Sequence, residues 1–187
     1  MSAALQFSDL LPKVPRLSLS EVPEVSAYFK NTLRAMFGED EDKVRSCVQE
    51  ITQMFWTPEK MRERLAGIED GEQLKSAMRR LRRDVMMSLV ARDISGLANL
   101  EEVVTVMSDL AEIAIDRTVS VYAKELAKRF GVPRSETGVP QDLIVIGMGK
   151  LGGRELNVSS DIDLIFFYDC DGECGPTAEY PNVRKII

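Results

Sequence analysis

The segment GMGKLGGRELNVSSDIDLIFFYD, residues 147–169, marks the point where the sequence changes from a helical pattern to a strand pattern. It has four glycines among its first seven residues, and it places Asp161 and Asp163 directly before the apolar run LIFF. A second apolar run, LIVIG, leads into it at 143–147. Short continuous apolar runs are typical of buried strands. The sequence therefore predicts strands near 142–147 and 161–168, separated by a glycine turn.

The chain before this segment carries a helical pattern. Apolar residues recur every three or four positions within 25–37, 44–55, 72–94 and 99–131. Thr57-Pro58 and Asn99 with Glu102 are helix-start patterns, and Gly38, Gly67 and Gly131 are predicted stops. We expect an irregular lead-in at 1–20, followed by helices over most of 22–131. The predicted fold class is mainly α, with a helical bundle domain at 1–131 followed by the start of an incomplete α/β domain at 132–187.

Composition narrows the function classes. With 44% hydrophobic and 29% charged residues the chain is typical of a globular domain, and its net charge of −6 argues against nucleic acid or an acidic membrane as partner. It contains no histidine, which excludes Ser-His-Asp and Cys-His catalysis and histidine zinc sites within this chain. Three cysteines suit a reducing compartment better than a disulfide framework, so we predict a cytoplasmic location.

A dinucleotide-binding loop is one interpretation of the glycines. Gly147, Gly149 and Gly152 match the G-x-G-x-x-G pattern after an apolar strand, and Asp169 ends the next one. That loop requires a helix after its third glycine, and GRELNVSSD is short and rich in poor helix formers. This interpretation remains as an alternative. A P-loop fits less well, because Lys150 is followed by leucine.

The paired aspartates support a second interpretation. On one strand Asp161 and Asp163 would project to the same face, about 6–7 Å apart along the chain, and two such carboxylates suit Mg²⁺. A preceding glycine turn lets backbone N–H groups approach phosphate oxygens, and Lys150 and Arg154 add positive charge. The pattern therefore indicates a nucleotidyl-transfer site. The simpler alternative is that both carboxylates end a strand and face solvent.

The residues GMGKLGGRELNVSSDIDLIF resemble the nucleotidyltransferase motif of the bifunctional glutamine synthetase adenylyltransferase/adenylyl-removing enzymes. The resemblance includes the pair Gly152-Gly153 and the aspartates Asp161 and Asp163, and it extends over residues 75–169. Met148, Arg154, Asn157 and Ser160 make the motif similar to the N-terminal, adenylyl-removing copy of that domain, although the motif alone does not fix the direction of transfer.

This resemblance implies a nucleotidyltransferase-type fold for 132–187 and a specific chemistry. Inorganic phosphate would attack the adenylyl-tyrosine of glutamine synthetase and release ADP. Asp161 and Asp163 would hold Mg²⁺ and be catalytic. Nucleotide and phosphate would be bound by the remaining motif residues, which are Lys150, Gly152, Gly153, Arg154 and Ser160. Glutamine synthetase and the nitrogen-signalling PII protein would be the protein partners.

The sequence departs from the family at one point. The family's third carboxylate, in an R-x-D-x-R-L-R-P-like segment, is not present, so the chain resembles an N-terminal fragment with little or no activity alone. A second class of hypothesis is therefore a helical interaction module without a working site.

The predicted helix at 72–94 carries a cluster of four arginines, which are Arg79, Arg80, Arg82 and Arg83. One interpretation is a solvated helix face paired with acidic neighbours. The other is a surface that contacts phosphate or a partner protein.

Overall fold

The computed structural model describes residue 18, residues 20–175 and the backbone of 185–186. Most of the predicted irregular lead-in at 1–20 lies outside these residues. The described part is mainly α. Its helices are α1 (Val22–Val25), α2 (Ala27–Phe37), α3 (Glu41–Gln53), α4 (Pro58–Arg64), α5 (Gly71–Ile94), α6 (Leu100–Phe130) and α7 (Gly149–Gly152). Its strands are β1 (Pro133–Ser135), β2 (Ile144–Gly147), β3 (Leu164–Phe167), β4 (Gly172–Cys174) and β5 (Lys185–Ile186).

The helix boundaries follow the predicted start and stop signals closely. Asn99 accepts a hydrogen bond from the Glu102 backbone N–H at 2.8 Å and so begins α6. Gly38 and Gly131, with φ of 64° and 87°, end α2 and α6 in a backbone region that favours glycine. One boundary differs, because α4 ends at Arg64 rather than at Gly67. The helical half of the prediction is therefore confirmed.

The main hydrophobic core lies between α4, α5 and α6. It includes Met61 of α4, Leu65 at the C-terminal boundary of that helix, and the apolar faces of α5 and α6. Leu151 and Leu156, which flank the end of the glycine turn, are buried in the same core. The glycine turn is therefore packed directly on the helices.

A buried arginine ties three of the helices together. Arg92 of α5 donates to the carboxylate of Glu102 on α6 at 2.8 and 3.1 Å, and to the carbonyl of Thr52 in α3 at 2.7 Å. It also donates to the Leu97 carbonyl at 3.3 Å, and its guanidinium lies 4.0 Å from the centre of the Phe55 ring. Since the last carbonyls of a helix lack partners inside it, Arg92 supplies one to the end of α3.

The two predicted strands form, and they are shorter than expected. β2 and β3 pair antiparallel, with Ile146 opposite Ile165 and Gly147 opposite Leu164. Three further strands, which the sequence pattern did not predict, form a second antiparallel sheet in the order β1-β4-β5. Strands of two or three residues are too short to show the alternation by which a strand is recognised.

None of the helices in the described ranges combines the length and the hydropathy that crossing a membrane requires.

Candidate functional site

The glycine turn is a single helical turn placed directly after β2. The N–H of Gly152 donates to the Met148 carbonyl at 3.1 Å, and the N–H of Gly153 donates to the Gly149 carbonyl at 3.0 Å. Gly149 has a φ of 53°, which favours glycine. The two N–H groups predicted to approach phosphate are thus hydrogen-bonded within the turn, and their role in binding stays a prediction.

The two adjacent glycines differ in what their position requires. A Cβ atom on Gly152 would lie 2.5 Å from the carbonyl oxygen of Gly147, closer than van der Waals contact allows. A Cβ atom on Gly153 would meet its nearest neighbour at 3.5 Å, an ordinary contact. The turn can therefore fold back onto the end of β2 only because residue 152 has no side chain.

The chain after the glycine turn does not form the helix that a dinucleotide-binding unit needs. α7 ends at Gly152, and residues 153–163 consist of turns and irregular chain. In the dinucleotide-binding fold, a helix starts within the glycine motif and continues across the sheet. The dinucleotide-binding interpretation is therefore not supported.

The two aspartates lie just before β3 rather than within it. The prediction that the strand includes both is wrong, because β3 begins at Leu164. Pairing nevertheless continues one residue further back, since the Met148 N–H donates to the Asp163 carbonyl at 2.9 Å. Both aspartate side chains are exposed, and within the described residues neither carboxylate has a hydrogen-bond or ion-pair partner.

The strand register indicates which face the residues of β3 occupy. Leu164 packs against the core formed with α5 and α6. Because side chains alternate along a strand, Ile165 points to the other face, and exposed Ile146 lies opposite it in the pairing. Asp161 and Asp163 precede β3, so that their carboxylates share one face stays a prediction.

Two of the predicted phosphate-binding residues are brought together. The Lys150 Nζ lies 3.2 Å from the Ser160 Oγ, which donates to the Asn157 Oδ1 at 2.7 Å. Asn157 also accepts from the N–H and the hydroxyl of Ser159, at 3.1 and 3.2 Å. This network links the glycine turn to the residue immediately before Asp161.

Arg154 has a different environment from the one that its predicted role suggests. Its guanidinium forms ion pairs with Asp109 and Glu112, both on α6. Hydrogen bonds to Asp109 and then to Glu112 raise the pKa of Arg154. Its φ of 56° is in the left-handed region that residues with a side chain seldom adopt. Its predicted contact with phosphate stays a prediction.

The sequence did not predict that α6 contacts the chain at Arg154 and Leu156. Ser108 is fully buried, and its Oγ accepts a hydrogen bond from the Leu156 N–H at 3.3 Å. Asp109 and Glu112 hold Arg154 as described. The available signal was local, because Ser108 and Asp109 interrupt the apolar sequence between Met107 and Leu110. Buried polar groups in a helix are normally hydrogen-bonded, so this interruption pointed to a tertiary contact.

A cavity of about 520 Å³ lies between α5, α6 and residues 156–166. Its lining is mainly apolar, with Arg79 and Arg82 among its lining residues from α5 and Ser160 and Asp161 among those beside the site. Arg79, Arg80 and Arg82 are exposed, and the structure gives them no ion pair within its described part, whereas Arg83 pairs with Asp84. The interpretation of this helix face as paired with acidic neighbours therefore holds for Arg83 alone.

A mainly helical protein with a glycine turn and exposed paired aspartates between two strands has the features of a candidate nucleotidyl-transfer enzyme. Comparison with known families identifies the group more closely. The model of the glutamate-ammonia ligase adenylyltransferase family matches residues 18–184, and the chain belongs to this family.

Curated relatives are similar to about half of the chain. A bifunctional glutamine synthetase adenylyltransferase/adenylyl-removing enzyme of Chromobacterium violaceum is 54% identical over 112 residues, which cover 59% of this chain and 12% of that protein. Proteins of the same name from Aromatoleum aromaticum and Thioalkalivibrio sulfidiphilus are 51% and 45% identical, over 57% and 64% of this chain and 11% and 12% of their own lengths. The chain thus spans only about a tenth of the length of these relatives.

Proposed function

We propose that this chain carries part of a nucleotidyl-transfer site that removes the adenylyl group from a tyrosine of glutamine synthetase. An oxygen of inorganic phosphate forms a bond to the α-phosphorus, and the bond from that phosphorus to the tyrosine oxygen breaks. The tyrosine oxygen takes up a proton, and the adenylyl group leaves as ADP. The observation that carries the proposal is the pair of exposed carboxylates of Asp161 and Asp163 beside the glycine turn, for which the described part of the chain supplies no hydrogen-bond or ion-pair partner.

The donor set fits Mg²⁺. This ion prefers oxygen ligands and commonly binds through one or two carboxylates, completing its shell with water and substrate phosphate. Asp161 and Asp163 would hold it, and when bound it would neutralise charge that develops on the phosphate oxygens. Within the described residues no cluster of three or more acidic, histidine or cysteine ligands exists, so we expect two carboxylates alone to bind Mg²⁺ weakly.

The phosphate groups would be handled from the other side of the site. Lys150 is the cation that the structure brings next to Ser160 and the aspartate segment, and its ammonium group would orient a phosphate oxygen. Ser160 would donate its hydroxyl proton to a phosphate oxygen in place of Asn157, and the tight turn at Gly152 and Gly153 would let the backbone approach. Arg154 adds positive charge at the same turn.

The protein partners in this proposal are glutamine synthetase and the PII protein. The helical part would dock them, and the exposed arginines Arg79, Arg80 and Arg82 support such a role, because they carry charge without an ion pair among the described residues. The same site could run in the direction of adenylyl transfer from ATP, since the motif contains no feature that fixes the direction.

The three cysteines are free thiols, which supports the proposed cytoplasmic location.

The test is metal binding to the unsubstituted chain. We expect Mn²⁺, followed by electron paramagnetic resonance, to bind weakly and to be displaced by Mg²⁺. The variant Asp163→Asn should lose this binding, whereas Asp142→Asn, which removes an exposed carboxylate near β2, should retain it. Absence of Mn²⁺ binding, or equal binding by both variants, would refute the metal site and favour a helical interaction module.

A further inference from the structure

We propose that Arg154 is a positioning residue that fixes the glycine turn on α6 and thereby places Lys150 beside the aspartate segment. This inference rests on the proposed function, because it gives a role to one residue of that site. It departs from the sequence-based expectation, in which Arg154 binds phosphate directly.

The first observation is the backbone of Arg154. Its φ of 56° is unfavourable for a residue with a Cβ atom, and such conformations persist where surrounding contacts over-determine them. The N–H of Arg154 donates to the Leu151 carbonyl at 3.0 Å, and the following N–H, of Glu155, donates to the Lys150 carbonyl at 2.7 Å. The left-handed residue therefore closes the turn that contains Lys150.

The second observation is the set of contacts with α6. Ser108, Asp109 and Glu112 occupy neighbouring positions on that helix and hold the chain at Leu156 and at Arg154. The Asp109 side chain is only 12% exposed, so its negative charge is largely removed from water and favours a permanent cationic partner. Contacts to two separate carboxylates orient the guanidinium more strictly than one contact would.

The third observation is the position of Lys150, which depends on the contacts between Arg154 and α6. Lys150 is in the turn that Arg154 closes, and its Nζ lies 3.2 Å from the Ser160 Oγ. Ser160 immediately precedes Asp161, so a shift of the turn moves the lysine relative to the proposed metal ligands. A phosphate that bound Arg154 would share its guanidinium with Asp109 and Glu112, whose negative charges would repel it. Lys150 has no carboxylate partner in the described part of the chain, so it is the better placed phosphate ligand.

The experiment compares Arg154→Asn with Arg154→Lys and with the control Arg45→Gln, which removes an exposed arginine of α3 that forms no ion pair within the described residues. Asparagine tolerates a positive φ, so Arg154→Asn removes the ion pairs without adding backbone strain. The double variant Asp109→Ala/Glu112→Ala removes the same contacts from the α6 side. Four quantities are measured: amide hydrogen exchange of residues 150–156, Mn²⁺ affinity, inorganic phosphate binding, and thermal unfolding by Trp56 fluorescence.

We expect exchange of the Glu155 and Leu156 amides to accelerate about tenfold in Arg154→Asn, which corresponds to about 1.4 kcal/mol of local opening. Mn²⁺ affinity should fall by about three- to tenfold, while the unfolding midpoint of the helical part changes little. Arg154→Lys should have an intermediate effect, and Arg45→Gln should have none. The double variant should match Arg154→Asn, and combining all three substitutions should add nothing, because they break one interaction.

Unchanged exchange in Arg154→Asn would overturn the proposal. So would additive effects of the α6 and Arg154 substitutions, or a loss of inorganic phosphate binding in Arg154→Asn with normal exchange, which would make Arg154 a phosphate ligand. If the unsubstituted chain bound no Mn²⁺, the proposed function would fail. The exchange measurements and the combined variant would then still decide whether Arg154 holds the turn.

Discussion

Replacing Arg92 by methionine tests the account of the helical part most directly. Methionine keeps much of the aliphatic volume and removes the guanidinium, so the change isolates the polar contacts. It leaves the Glu102 carboxylate without its partner and leaves the carbonyls of Thr52 and Leu97 without a donor. Breaking a buried ion pair from one side costs about 3–5 kcal/mol. Glu102 is 25% exposed and can be partly rehydrated, so we expect the lower end, about 3 kcal/mol.

The assay is urea unfolding followed by tryptophan fluorescence. Trp56 is the single tryptophan of the chain and is 7% exposed in the main core, so its emission reports on the helices around Arg92. With a denaturant dependence of about 2 kcal/mol per molar urea, a loss of about 3 kcal/mol lowers the midpoint by about 1.5 M. Arg79→Met, an exposed position on the same helix, is the matched control and should change the midpoint little.

A milder change in the same contact gives an internal check. Glu102→Gln keeps an acceptor for Arg92 and removes the negative charge, and it should cost about 1–2 kcal/mol. A loss below about 1 kcal/mol in Arg92→Met, or a loss equal to that of Arg79→Met, would show that Arg92 does not connect α3, α5 and α6 as described.

Three further outcomes are expected. Gly152→Ala forces a Cβ atom against the Gly147 carbonyl and should cost about 1–3 kcal/mol of local stability, measured as faster amide exchange in the turn. Gly153→Ala should leave the exchange rate unchanged, and equal effects of the two substitutions would contradict the close approach at Gly152. Burial, and secondarily Glu50, raises the pKa of the Cys47 thiol, so less of this thiol is ionised at pH 8. The alkylation rate of Cys47 should therefore be lower than that of exposed Cys170 and should keep rising with pH. Equal rates for the two cysteines would refute this prediction. Incubated with adenylylated glutamine synthetase, phosphate, Mg²⁺ and PII, the chain alone should release little or no ADP, because its described residues include no three-ligand metal cluster; rapid release would show that two carboxylates are sufficient.

The helices could be predicted because their signals are local. Asn99 caps its helix through a backbone N–H three residues away, and Gly131 ends the same helix at its own position. Apolar spacing along α5 and α6 likewise identifies their buried faces from neighbouring residues alone. Each of these features depends on contacts within one or two helical turns, so the sequence predicts them without knowledge of the fold.

The strands were predicted only where the apolar pattern was long enough. The runs at 143–147 and 164–167 stand out, and β2 and β3 form there. β1 and β4 are short, and their pairing joins Arg134 to Glu173 across 39 positions of sequence. No local pattern in either segment marks that partner.

The sequence by itself determined the helical character of residues 22–131, the glycine turn, and the chemistry proposed for Asp161, Asp163 and Lys150. Only the tertiary structure decided that Arg154 is held by α6 and that β3 begins after both aspartates. The physical reason is distance along the chain. Arg154 meets Asp109 and Glu112 across 45 and 42 positions, and such a contact depends on how α6 and the turn pack around Leu151 and Leu156. Helix propensity and capping act between near neighbours, whereas packing selects the partners of a charged group from the whole surface that folding brings within reach.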